Sequence, residues 1–168
     1  MFAIGIDNGV TGSIGWIFNG KCGLMKMPVR RVLNYGQSGK YINRIDVHSL
    51  KTFLVGCKME AERDEQDIKI LMERPFTGGP TMIQAMLSAA RSFEATLIVV
   101  ETVKIGFRVI DSREWQKVLL PKVKGTTDLK KASQQKAREM WPDLKTNFTI
   151  SDADGLMIAE YLRRSQSV

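Results

Sequence analysis

Residues 2 to 7 alternate Ala3, Gly5 and Asp7 with Phe2, Ile4 and Ile6 and end at Asn8-Gly9, a pattern that predicts a strand running into a turn. Residues 12 to 18 and 22 to 27 repeat the strand pattern, and Asn19-Gly20 between them is a strong hairpin signal. The chain is therefore expected to open with a three-stranded meander. Residues 28 to 45 hold Pro28, Gly36, Ser38 and Gly39 and read as a loop or loose hairpin. A helix is expected over 46 to 62, followed by an acidic, solvated exit to Asp67. Residues 68 to 73 form another strand, stopped by Pro75, which has no N–H to give to a ladder.

Farther along, Thr96-Leu97-Ile98-Val99-Val100 has strand propensity, yet Met82, Met86, Ala89, Phe93, Leu97 and Val100 recur at helical spacing. The spacing predicts one long helix from about 80 to 104. Its methionine-rich stripe is expected to be core, with a subunit interface as the alternative. A short strand over 107 to 110 and helices near 112 to 119, 127 to 141 and 151 to 165 complete the pattern. Gly125-Thr126-Thr127-Asp128 offers capping groups to the helix at 127. Strands first, helices interspersed later and no repeat or long linker predict one compact α/β domain over 1 to 168.

Three acids interrupt this pattern. Asp7 ends Phe2-Ala3-Ile4-Gly5-Ile6, Glu73 ends Ile68-Lys69-Ile70-Leu71-Met72, and Asp154 enters the apolar run through Ile158. Singly, each has a structural explanation: a turn acid for Asp7, an ion pair for Glu73, and a capping box with Ser151 for Asp154. Together they favour a metal site, because a lone buried carboxylate is costly and converging carboxylates suit hard divalent cations. Carboxylates drawn from distant segments are a common basis of two-metal phosphodiester chemistry.

With 43% apolar and 26% charged residues, the 168-residue chain has the composition of a soluble globular protein. It has no uncharged apolar run of ~18 residues, so no transmembrane helix is expected. Met1 leads directly into a strand pattern rather than a secretory signal, which makes cytoplasm the expected compartment. Cys22 and Cys57 read as reduced thiols, and with the single His48 they cannot assemble a zinc site.

The net charge of +7 is uneven: residues 104 to 145 carry 11 Lys/Arg against 5 Asp/Glu. Such an excess suits a polyanion, nucleic acid above all, because each neutralised phosphate releases counterions. Lys122 and Lys124 in this stretch are candidate phosphate contacts. So are Arg30, Arg31 and Lys40 in the segment 28 to 45, which contains no acid and interleaves Tyr35 and Tyr41 for base stacking. An ordinary solvated loop is the competing explanation.

Gly5-Ile6-Asp7-Asn8-Gly9 with Thr11-Gly12, Met72-Glu73-Arg74-Pro75-Phe76, Trp115-Gln116-Lys117, Lys130-Lys131-Ala132-Ser133 and Ala153-Asp154-Gly155-Leu156-Met157-Ile158 occur in this order over nearly the whole chain. Together they resemble the RuvC-type Holliday junction resolvases, most nearly their phage-borne branch. The resemblance implies an RNase H-like fold, a mixed central sheet flanked by helices. It also implies a homodimer that uses Mg²⁺ or Mn²⁺, two ions per site, to place paired symmetric nicks in four-way DNA junctions, in a bacterial host's cytoplasm if phage-encoded. By the same match Asp7, Glu73 and Asp154 would bind metal, and Lys130 or Lys131 would lie near the scissile phosphate. Phe76 would meet bases at the crossover, and the long helix would pack across the dimer.

The chain departs from the family at one point. The family's last two aspartates are spaced i, i+3, whereas here position 151 is Ser and the nearest second acid is Asp152, two residues before Asp154. On a regular helix these would diverge. Asp152 joins the site as a fourth acid only if it lies in the cap, before helical geometry begins; otherwise three acids and water complete the site. Competing functions are a related nuclease for RNA:DNA hybrids or branched replication intermediates, and a junction-binding protein without catalysis. A sugar-kinase-type phosphotransferase, suggested by Ile6-Asp7-Asn8-Gly9, would need a second such domain, for which the chain is too short.

Overall fold

A computed structural model describes residues 1–34, 36, 38–75, 83–120, 126–144 and 152–165, with the side chains of Thr126 and Thr127 excepted. In chain order the elements are β1 (Phe2–Ile6), β2 (Ser13–Phe18), β3 (Lys21–Lys26), β4 (Val29–Leu33), β5 (Tyr41–Ile45), α1 (Val47–Arg63) and β6 (Ile68–Glu73). They continue with α2 (Ile83–Val103), β7 (Gly106–Ile110), α3 (Ser112–Leu119), α4 (Thr126–Met140) and α5 (Asp154–Ser165). The main sheet is five-stranded in the order β3-β2-β1-β6-β7, antiparallel through the opening meander and parallel from β1 to β6 to β7. β4 and β5 pair antiparallel as a separate two-stranded sheet.

Strand alternation sorts the sheet's side chains into two cores. Phe2, Ile4 and Ile6 of β1, Ile14 and Phe18 of β2 and Ile70 and Met72 of β6 pack with Leu50 and Leu54 of α1 and Val99, Val100 and Val103 of α2. The alternate positions Ala3, Ile17 and Leu71 face Leu156, Met157, Ala159 and Leu162 of α5, with Trp115 and Leu119 of α3 beside them. Gly5 and Gly15 lie on this second face. A Cβ on Gly5 would collide with backbone atoms of Ala159 and Gly155, and one on Gly15 with those of Leu156. The α5 backbone therefore rests directly on β1 and β2.

Three expectations need correction. Within the segment 28 to 45, Val29–Leu33 and Tyr41–Ile45 pair as two regular strands rather than forming a loop or loose hairpin, with five paired positions from Val29–Ile45 to Leu33–Tyr41. The last helix begins at Asp154, leaving Asp152 and Ala153 in non-helical backbone. The long helix does prevail over the strand propensity at 96 to 100, but its stripe is core only in the C-terminal half. Ser92, Thr96, Val99, Val100 and Val103 are buried, whereas Ile83, Met86, Leu87 and Ile98 are 74%, 41%, 42% and 54% exposed. Among the described residues the buried positions of α2 gather in its C-terminal half, where Val99, Val100 and Val103 join the core with α1 and the sheet, while its first turns contribute none. By length and composition alone α2 also passes as a candidate membrane span, but Arg91 and Glu94 interrupt it, so no uncharged apolar run of that length exists there, and its other face packs on α1 and β5. Cys22 and Cys57 are free thiols.

Two glycine substitutions separate close approach from simple flexibility. Gly15→Ala forces a backbone collision and should lower stability by about 3 kcal/mol or more, as overpacking does. Gly56→Ala, at an exposed position of α1 with nothing near its added carbon, should raise it by ~0.5–1 kcal/mol. Urea unfolding midpoints measure both.

Candidate metal centre

The alternation that builds the second core also aims the acids. Asp7 follows β1 and Glu73 closes β6, each on the parity of Gly5 and Leu71, so both point to the α5 face at one end of the sheet. Parallel pairing of β1 with β6 keeps the two strand ends level. The start of α5 arrives at the same place because its backbone is seated on Gly5 and Gly15. Ligand oxygens of Asp7, Asp152 and Asp154 all lie within 4.8 Å of one another.

The i, i+2 spacing works because Asp152 precedes the helix. The carbonyl of Ala153 accepts the first helical bonds, from Leu156 N and Met157 N at 3.0 and 3.1 Å, so Ala153 occupies the capping position without a side chain able to cap. Its neighbours take over. Asp154 N donates to Asp152 Oδ1 at 2.9 Å, and Gly155 N donates to the hydroxyl of Ser13 at 3.0 Å. Ser13, 1% exposed, in turn donates to Asp152 Oδ1 at 2.8 Å, and its carbonyl accepts from Asp7 N at 2.9 Å. One serine thus joins both acid-bearing segments. Ser13 was missed in the sequence, although its place at the start of a strand next to the Asp7 turn could have marked it.

Glu73 accepts from the indole of the buried Trp115 at 2.8 Å rather than from a neighbouring cation; Arg74 pairs instead with Asp111, the N-cap of α3. Of the two adjacent lysines, Lys130 of α4 places its ammonium on Asp152 Oδ2 at 2.5 Å, while Lys131 is exposed and makes no described contact with the acids. Arg30, Arg31 and Lys40 are exposed on or beside the β4–β5 hairpin, where Arg31 stacks over Tyr41 at 4.6 Å. Phe76, Tyr35, Lys122, Lys124 and Ser151 lie outside the described residues.

Burial, with mutual repulsion added to it, dominates the chemistry of the cluster. Burial, then the charges of Asp152, Glu73 and Asp154, hold the Asp7 carboxyl well above its ordinary range, against the pull of Lys130. Burial likewise raises Glu73 to about 7, and burial together with Asp152 raises Asp154 to about 6, despite hydrogen bonds from Trp115 and Ser133 respectively. Burial would lower Lys130, but its bond to Asp152 and the charges of Asp7 and Asp154 win and raise it. Hard oxygen donors crowded closely enough to resist ionisation are the donor set a divalent ion such as Mg²⁺ or Mn²⁺ fits, since its charge reverses the penalty.

No protein-family model and no curated protein sequence matches the chain. Solved structures do. Thermus thermophilus RuvC in complex with a Holliday junction substrate matches with a TM-score of 0.56 at 14% identity, over 98% of this chain and 96% of that one. A second Thermus thermophilus RuvC structure matches with a TM-score of 0.54 at 14% identity, over 98% and 97%. The yeast mitochondrial Holliday junction resolvase Ydc2 aligns more weakly, with a TM-score of 0.43 at 19% identity, over 98% and 78%. The chain has an RNase H-like fold: a mixed five-stranded sheet with helices on both faces. Within that class its architecture is that of RuvC, along nearly its full length.

The raised carboxyls set a pH dependence. Because the folded chain holds these protons more tightly than the unfolded one, the stability they contribute is present below about pH 4 and lost as pH rises through 6 to 7. At about 1.4 kcal/mol per pH unit, Glu73 alone accounts for on the order of 3 kcal/mol. In EDTA, Asp7→Asn should therefore melt higher than wild type at pH 8 and nearly level with it at pH 5. Mg²⁺ or Mn²⁺ should raise the wild-type melting temperature far more at pH 8 than at pH 5. A calorimetric pH series checks both.

Proposed function

We propose that this protein is a divalent-metal-dependent endonuclease that resolves four-way DNA junctions by paired symmetric nicks. The observation that carries the reading is the convergence of Asp7, Asp152 and Asp154 within 4.8 Å, with Glu73 and Lys130 beside them, on a RuvC architecture. The RuvC of similar fold was solved in complex with a Holliday junction substrate, and branched DNA is the substrate class we assign here. In this reading Asp7, Glu73, Asp152 and Asp154 hold Mg²⁺ or Mn²⁺, two ions per site. Bound there, such ions would supply Lewis acidity for phosphodiester hydrolysis.

The chain's own residues do the rest. Water adds to phosphorus, the bond to the 3′ oxygen breaks, and a 5′ phosphate and a 3′ hydroxyl result. Ser13 and the backbone of Asp154 keep the Asp152 carboxylate in one orientation, and Trp115 does the same for Glu73. Lys130 offsets negative charge building on the phosphate. Arg30, Arg31 and Lys40 track the DNA backbone, and Tyr41 offers a stacking face.

Paired nicks need two such sites in fixed relation, which a two-fold homodimer supplies to a junction of matching symmetry. Its contact surface is the apolar face of α2 at Ile83, Met86, Leu87 and Ile98, which is exposed among the described residues.

The decisive assay is an end-labelled four-way junction beside linear duplex and RNA:DNA hybrid, with Mg²⁺, Mn²⁺ or EDTA. Wild type should place opposed nicks in the junction only with metal, and Asp7→Asn should cut at least about a hundredfold more slowly while still binding, in keeping with the share that electrostatic groups at a reacting centre contribute. Cut hybrid beside intact junction would reassign the protein to an RNase H-type activity; binding without any cutting would make it a junction-binding protein. Separately, Ile83→Asp with Leu87→Asp should shift the sedimentation coefficient from dimer to monomer and replace paired cuts by single nicks.

A further inference from the structure

Asp152 is the most heavily bonded acid of the cluster, and its two oxygens are bonded differently. Oδ1 accepts from the Ser13 hydroxyl at 2.8 Å and from Asp154 N at 2.9 Å, which fills both of its lone-pair directions. Both donors are fixed: one belongs to a buried serine in the sheet, the other to the backbone of α5. Oδ2 is therefore the oxygen with capacity for a cation, and the Lys130 ammonium holds it. The partners differ in mobility, since the Asp152 side chain is 6% exposed and that of Lys130 is 51% exposed on a four-carbon stem.

A divalent ion bridging the three clustered acids would take this same oxygen. The ion and the ammonium carry charges of one sign, and at the separation of two ligands on one carboxylate oxygen they repel strongly. Only one of them can be seated there.

We propose that Lys130 is a tethered competitor of the divalent ion at Asp152 Oδ2, so that metal loading expels the ammonium and frees it for the DNA phosphate. The proposal rests on the reading of the acids as a metal centre and adds an order of events to it. Lys130 shields the cluster while no ion is loaded, and it becomes available to substrate only at a site that is loaded. Loading and charge delivery are thereby tied together through one oxygen. Lys131, one residue along, has no described contact with the cluster and takes no part in the exchange.

The test uses the intact chain without DNA. Mn²⁺ binding is followed by calorimetry and by the paramagnetic resonance of the free ion, at pH 8, for wild type, Lys130→Met and Lys131→Met. Lys130→Met should bind Mn²⁺ roughly 10-fold more tightly than wild type, about 1.4 kcal/mol, and Lys131→Met should match wild type. At saturating Mn²⁺, Lys130→Met should nonetheless cut a four-way junction more slowly than wild type. A lysine that acts only on the phosphate would leave metal affinity unmoved, and one that merely props the site would weaken it; either result overturns the proposal. Should the methionine variant not fold, wild type reductively methylated with ¹³C serves instead. The Lys130 methyl resonance, assigned with Lys130→Arg, should move on adding Mg²⁺ before any DNA is present, and a fixed resonance overturns the exchange. Equal Mn²⁺ affinity in wild type and Lys130→Met sinks this inference alone, whereas no Mn²⁺ binding by any variant sinks the metal centre with it.

Discussion

Everything at the acid cluster depends on how closely α5 lies on the sheet. The contact is backbone against backbone, permitted by Gly5 and Gly15, and it leaves no room for a methyl group between the helix and β1 or β2 at those positions. Helix-to-sheet packing through larger side chains would lift α5 by several ångström and carry Asp152 and Asp154 away from Asp7. The cores on the two faces are thus of different kinds. The one under α1 and α2 is thick and made of Phe, Ile, Leu and Val, whereas the one under α5 is thinned at its centre so that charged groups can meet at its edge.

That edge works against folding. Burial first, and then their neighbours' charges, raise the carboxyls' affinity for protons, and that cost is tolerated only because the rest of the domain supplies ample apolar burial. Local hydrogen bonding limits the damage. Ala153 cannot cap the helix that follows it, so Asp152 and Ser13 serve the first amides of α5 and are themselves oriented by doing so. Capping and ligand positioning are here the same set of bonds.

Much of this could be read along the chain. Strand alternation placed Phe2, Ile4 and Ile6 opposite Asp7 and so implied that the acid faced away from the larger core. Asn19-Gly20 announced the first hairpin, and helical spacing overcame β propensity at residues 96 to 100. The role of Asp152 could be framed but not decided, because it turns on where a helix begins, and helix ends depend on long-range partners such as Ser13. Tertiary coverage was equally invisible: the stripe of α2 has one periodicity throughout, yet Val100 is buried and Met86 is not, since periodicity records a face and not what lies against it. Trp115 entered the sequence reading only through the motif Trp115-Gln116-Lys117, and its indole N–H finds Glu73 only across the folded sheet edge.

The β4–β5 hairpin forms its own two-stranded sheet and shares no ladder with the strands that carry the acids. Its solvent-facing arginines, lysine and tyrosine are therefore free to drift under selection without disturbing β1, β6 or α5. A fold built this way can change one part of its surface, at the hairpin, without moving the acid cluster, which belongs to another sheet.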